Sequence, residues 1–210
     1  MKRLILCLLI ALPYCLFAQI GIKAGVNFAN ISNASDINNS SRSGFNAGLF
    51  FSPSAKIIGS RTELNFSRQG YNYKTSTNTG NVNLSYIMLS QFLAINITKY
   101  FQLQAGGQIA YLLNAKVDSS NQMLSGTPYA SYGKILNMYN RLDYGIGGGF
   151  EIHPFKGLLI GARINISLSQ LYKQPDESQQ TTSTSMFSSI DAKNNVIQIF
   201  AGWRFGKSKK

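Results

Sequence analysis

Cysteine is nearly missing. Cys7 and Cys15 are the two in the chain, and both fall in an N-terminal stretch that reads as a leader. Once that leader is removed, no disulfide framework, thiolate metal site or cysteine nucleophile can be built. Histidine is down to His153, and a metal site would need further histidines or a carboxylate cluster. Charge is scarce too. Lys, Arg, Asp and Glu make up 13% of the chain, against about 25% in an ordinary soluble domain. The shortage falls in the alternating segments described below, where a soluble barrel would show Lys and Glu on its outer face. Long apolar runs are also lacking. The most hydrophobic stretch after the leader, 82–96, is too short and too interrupted to be a membrane helix.

What charge there is leans basic, with a formal net of +12. A nucleic-acid binder concentrates its Lys and Arg on one element. Here they are scattered over turns, one phase of the strands and the tail residues Lys207, Lys209 and Lys210. Nucleic acid is therefore not an expected partner, and anionic lipid headgroups are the better use of the excess. The start of the chain has the parts of a secretory signal peptide: Lys2 and Arg3, an apolar run from Leu4 to Leu12, then Pro13 and a short stretch ending at Ala18. Residues 1–18 are expected to be a cleaved signal, because Leu4 to Phe17 is too short to span a bilayer.

The rest of the chain runs in twos. In RLDYGIGGGFEI, Tyr144, Ile146, Phe150 and Ile152 share one face, and Asp143, Gly145, Gly147, Gly149 and Glu151 the other. After the HPFKG turn, Ile160, Ala162, Ile164, Ile166 and Leu168 alternate with Leu159, Gly161, Arg163, Asn165 and Ser167. A period of two means strand, and arms of about 10 residues can cross a bilayer at a tilt. Six further segments repeat the pattern: 19–30, 43–52, 58–70, 82–96, 101–113 and 195–205. The connections alternate long and short, with loops expected at 31–42, 71–81, 114–136 and 172–194. Outer-membrane barrels are built this way, with short periplasmic turns, long extracellular loops and both termini in the periplasm. The expected fold is all-β, an eight-stranded antiparallel up-and-down transmembrane β-barrel over 19–205, followed by a basic tail, 206–210. Aromatics near strand ends, including Phe28, Phe45, Tyr71, Tyr86, Tyr100, Tyr139, Tyr172, Trp203 and Phe205, suggest interfacial girdles. A soluble lipocalin-like carrier is the alternative and would turn the apolar phase inward.

The polar phase carries Lys23, Arg61, Glu63, Asp143, Glu151, Arg163 and Arg204. An eight-stranded barrel is only wide enough for side chains to fill, so these are expected to form a structural charge network plugging the lumen. Arg163 is expected to pair with Asp143, Glu151 or Glu63. A glycosidase-like use of Glu63 and Glu151 lacks a sugar-sized cleft. The glycines 145, 147, 148 and 149 are no dinucleotide loop, since no helix follows; they make room in a crowded lumen. No catalytic residues, cofactor or metal are expected, and the chain reads as a non-enzyme.

Taken together, GIKAGVNFANIS, SGFNAGLFFS, ELNFSRQGY, DYGIGGGFEI, ARINISLSQL and NNVIQIFAGWRF resemble the small outer-membrane β-barrel family abundant in Bacteroidetes-type bacteria, often called porin-family or PorT-like. The family commonly has Glu and Pro on the fourth strand where this chain has Met88 and Ser90, and many members stop at the terminal Phe, whereas GKSKK follows Phe205 here. The resemblance implies an outer-membrane location, contact with outer-membrane lipid and insertion by the barrel-assembly machinery. It implies no single activity. The roles that remain are a structural or surface-interaction barrel whose extracellular loops meet a protein or glycan partner, a narrow conduit, or an accessory part of an envelope secretion or transport machine.

Overall fold

A computed structural model describes residues 18–32, 38–53, 55–74, 79–119, 136–137, 139–173 and 192–205. The expected leader up to residue 17, the tail 206–210 and much of the expected loops 114–136 and 172–194 lie outside the described residues. The eight strands are β1 (Ala18–Ser32), β2 (Asn38–Pro53), β3 (Ile58–Lys74), β4 (Thr79–Asn96), β5 (Phe101–Ser119), β6 (Leu142–Ile152), β7 (Leu158–Ser167) and β8 (Lys193–Arg204). Each pairs antiparallel with its sequence neighbour, and β8 returns to β1 in a register running from Gly21↔Arg204 to Ser32↔Lys193, so the sheet closes.

The alternation decides which face is which. Ile199 is 48% exposed and its neighbour Gln198 4%, so the apolar phase faces outward. That orientation rules out the lipocalin-like arrangement. On β1 the outward residues run from Ile20 through Ile22, Ala24 and Val26 to Phe28, which on a tilted strand covers about 20–25 Å, the height of a hydrocarbon belt.

One end of the barrel carries tight turns. In the turn between β6 and β7, Gly157 takes a φ of +92°, and its carbonyl accepts the Arg204 amide at 2.7 Å. The opposite end departs from the expected loops. Pairing of β3 with β4 continues to Lys74↔Thr79, of β4 with β5 to Gly80↔Ser119, and of β2 with β3 to Asn38↔Lys74. The neighbouring ladders stop sooner, at Ala29↔Arg42 and Tyr111↔Leu142. The stretches 38–42, 71–74, 79–81 and 114–119, expected as loop, are therefore strand, and β2–β5 stand beyond the belt as a four-stranded sheet. Polar residues on both faces hid them, because outside the membrane neither face must be apolar.

Two register shifts mark the exit from the belt, one between Ser41 and Asn46 on β2, the other where Ser85 faces Asn114 but Tyr86 faces Leu112. At the second, Leu113 is the extra residue. A bulge of this kind reverses the side-chain phase of its strand. Leu112 and Ala115 both point inward as a result, while Leu113 lies outside.

The belt makes a direct prediction. Ile199→Arg should destabilise the barrel in lipid vesicles by about 2–4 kcal/mol, while Gln198→Ser, one residue away in the lumen, should cost clearly less. Urea unfolding in vesicles measures both, and equal losses would contradict the assigned faces.

Candidate functional site

The lumen is built in storeys. Nearest the short turns is a charged storey centred on the Glu63 carboxylate. Lys23 Nζ donates to its Oε2 at 2.6 Å, Arg61 Nε to Oε1 at 2.7 Å, Arg163 to both oxygens at 2.8 and 3.0 Å, and Asn65 Nδ2 to Oε2 at 3.1 Å. Arg61 also reaches Glu151 at 2.7 Å. Four strands supply these groups: β1, β3, β6 and β7. The side chains of Lys23, Arg61, Glu63 and Glu151 have no solvent exposure at all. At that depth each charge would be expensive alone, and the geometry offsets this by giving one carboxylate three cations to hold.

Aromatic rings floor the network. The Arg61 guanidinium lies 3.9 Å from the centroid of Phe50, and that of Arg163 lies 3.9 Å from Phe92 and 5.3 Å from Phe200. Lys23 Nζ is 4.4 Å from Phe200. Desolvated cation–π contacts are worth about 2 kcal/mol each. Phe50, Phe92 and Phe200 occupy lumen positions that elsewhere hold Gly, Asn and Gln, and the sequence reading missed them. The available signal was their phase, since each sits out of step with the outward apolar residues beside it, Phe51, Leu93 and Ile199.

Amides extend the network in both directions. Arg163 donates to Gln104 at 2.5 Å, Gln104 to Gln102 at 2.8 Å and Gln102 to Asn96 at 2.7 Å, running toward the short turns. Above, Asn46 donates to Asn27 at 2.7 Å, Asn27 to Ser67 at 2.9 Å, Gln69 to Ser67 at 2.8 Å and Asn194 to Gln69 at 2.5 Å, tying β1, β2, β3 and β8 together.

Two of the seven expected charges stand apart. Asp143 does not meet Arg163; its carboxylate is bound by the Ser167 hydroxyl and, at 2.5 Å, by that of Ser169. The reason is height: β6 places Asp143 near the long-connection end, and Arg163 lies level with Gly149 instead. Arg163 reaches across the lumen to Glu63 rather than to a neighbouring strand. Arg204 forms no ion pair among the described residues. His153, in its turn, brings Nε2 to 3.3 Å from Glu151 Oε2. No group of three or more metal-ligating side chains occurs among the described residues.

Toward the long connections the lumen turns apolar. Ile31, Val82, Leu84, Tyr86, Met88, Leu112, Ala115, Leu171 and Ala192 pack there with Tyr71, Tyr139 and Tyr172. The Tyr71 hydroxyl lies 3.2 Å from that of Tyr139 and 2.5 Å from that of Tyr172, and the rings of Tyr139 and Tyr172 sit 5.2 Å apart. Tyr71, Tyr86, Tyr139 and Tyr172 thus belong to an inner cap and not to an interfacial girdle. Phe28, Phe45, Tyr100, Trp203 and Phe205 do face outward. Gly145, Gly147 and Gly149 line the lumen side, where an added Cβ would come within 2.3 Å of another atom, whereas Gly148 lies on the outer phase.

Both storeys can be tested. Glu63→Gln takes the anionic partner from Lys23 and Arg163 and one of the two from Arg61, and should cost about 3–5 kcal/mol; Asp143→Asn, set among serine hydroxyls, should cost much less. The temperature at which heat-modifiable gel migration is lost reports both. Burial pushes the Tyr139 and Tyr172 hydroxyls upward. The neutral form is thus favoured in the fold, and that stabilisation is intact below the unfolded tyrosine value of about 10 and lost as pH rises past it. Wild-type stability should fall above about pH 10 more steeply than that of Tyr139→Phe.

Known proteins can be set beside this geometry. A family model described as an outer membrane protein beta-barrel domain matches residues 13–173. Among solved structures, Neisserial surface protein A is similar at 13% identity and a TM-score of 0.52, over 90% of this chain and 99% of that one. Ail, the attachment invasion locus protein of Yersinia pestis, is similar at 18% identity and a TM-score of 0.49, over 90% of this chain and 99% of that one. No curated protein sequence matches. The resemblance to Neisserial surface protein A is one of fold. The family match spans well over half of the sequence and agrees with the closed barrel, its apolar outer belt and its polar lumen: the chain belongs to the outer membrane protein beta-barrel domain family and resides in the bacterial outer membrane.

Proposed function

We propose that this barrel is a closed, non-enzymatic scaffold that presents a surface-interaction platform outside the cell. One observation carries the reading: the lumen is occupied along its length, by unexposed Arg61, Glu63 and Glu151 below and by the apolar tyrosine cap above. A filled eight-stranded barrel leaves no aqueous path, so what the molecule can offer a partner is its rim. The sheet of β2–β5 that rises past the belt supports this, since it carries polar residues such as Asn72, Lys74 and Lys116 well clear of the membrane. The reading takes residues 1–18 as a cleaved signal peptide, 19–205 as the barrel and 206–210 as a basic tail. It treats Lys23, Arg61, Glu63, Glu151 and Arg163 as a structural plug, with the short turns in the periplasm. The stretches GIKAGVNFANIS and NNVIQIFAGWRF favour the Bacteroidetes-type, PorT-like branch of small barrels. A protein or glycan is the partner class for the rim.

Planar-bilayer recording tests the closed lumen: the purified barrel should give no steady conductance, and a reproducible one would favour a conduit. On intact cells, added protease should cut in the connections that follow β5 and β7 and spare the short turns at Pro53 and Pro154. Cleavage at those turns would invert the topology.

A further inference from the structure

The outer face of the belt holds an amide where hydrocarbon is expected. On β4 the outward residues are Ile87, Leu89, Gln91, Leu93 and Ile95, which puts Gln91 in the middle of the belt, exposed. Thr62, across the ladder on β3, donates its hydroxyl to Gln91 Oε1 at 2.6 Å. That bond occupies the amide oxygen and leaves the Nε2 hydrogens without a partner among the described residues. In lipid there is no water to take them, and polar groups at this depth are costly unless another protein surface meets them.

The glycines beside Gln91 are a separate observation. Gly107 lies directly across from Gln91 on β5, and Gly148 on β6 lies across from Ala105. Neighbouring glycines are forced by the wall: an added Cβ would come 2.0 Å from the Gln91 carbonyl oxygen at Gly106, 2.3 Å from that of Ile166 at Gly145, and 2.2 Å from that of Ala162 at Gly149. No such reason holds for Gly107 or Gly148, where the nearest atoms are carbonyl oxygens at 3.8 and 3.6 Å, ordinary contact. Glycine weakens a strand and covers no lipid, and where nothing inside requires it, it marks a place where another backbone comes close.

We propose that Thr62, Gln91, Ala105, Gly107 and Gly148 form a barrel-to-barrel contact within the membrane, and that the occupant is a second copy of this chain related by a two-fold axis along the membrane normal. A primary amide both donates and accepts. Across a two-fold axis each Gln91 Nε2 can donate to the other copy's Gln91 or Thr62 oxygen, so the patch completes itself, as an isologous contact must. Lipid or an apolar helix would leave the same hydrogens unmet, and a charged partner would carry a greater burden into the middle of the belt. Small residues around the amide let the two walls approach, as they do between membrane helices.

Resonance energy transfer between copies labelled at Lys99→Cys, in vesicles of varied protein-to-lipid ratio, tests this. Lys99 lies in an exposed turn, and Cys7 and Cys15 are absent from protein expressed from residue 19. Transfer should rise with protein density along a monomer–dimer curve. Gln91→Leu and Gly107→Leu should each weaken association by about tenfold or more, while both variants keep heat-modifiable migration, because the added side chains point into lipid with room for a Cβ. Ala24→Leu, on the outer face of β1, should leave the curve unchanged. No transfer above random proximity at any ratio would overturn the proposal. So would transfer that survives both Gln91→Leu and Gly107→Leu, or that falls equally with Ala24→Leu.

Discussion

The pairing of β1 with β8 is the constraint from which the rest follows. A sheet in hydrocarbon cannot leave an edge, because unpaired amides and carbonyls find no water there. Closing the sheet at eight strands satisfies every rung and at the same time sets the width of the interior, which side chains then have to fill. Once filled and cut off from bulk water, a polar interior must answer its own hydrogen bonds and charges. The apolar belt, the crowded lumen and the buried ion cluster are thus three results of one closure.

Glu63 shows how tightly that interior is balanced. One carboxylate receives Lys23, Arg61 and Arg163, and Glu151 takes the free arm of Arg61. Ion pairs at this depth gain little net stability over a well-packed apolar interior. The groups come from β1, β3, β6 and β7, so the cluster assembles only when distant parts of the chain are in register. The phenylalanine rings beneath Arg61 and Arg163 hold the guanidinium planes in place without adding charge, and the amide chains above and below link the cluster to neighbouring strands.

Much of this was legible in the sequence, and what was not has definite causes. The faces of Ile199 and Gln198, of Glu151 and Ile152, follow from a period of two, because a one-residue slip would turn every side chain over. Arg163 as a paired lumen charge was legible; its partner was not, since phase gives direction but not height, and Asp143 sits too far up the barrel. Tyr71 and Tyr86 were placed in a girdle from their type and position near strand ends, although the phase of Gln69 and Tyr71 on β3 pointed inward. The outer ends of β2–β5 were invisible because alternation is written only where one side must be oily. Phe50, Phe92 and Phe200 were passed over because the polar face was read as uniformly polar.

Leu113 offers a last point. As the extra residue of the β4–β5 bulge, it separates two phases: below it the strand obeys the membrane, and above it the strand faces its side chains according to the cap. The rising sheet is thereby uncoupled from the alternation of the belt. Pairs of residues can be added to or removed from the hairpins beyond Leu113 with no change in which side chains meet lipid below. The bulge is a joint between an anchor whose side-chain phase is fixed by lipid and a head whose phase is not, so that one membrane-embedded wall is compatible with different outer shapes.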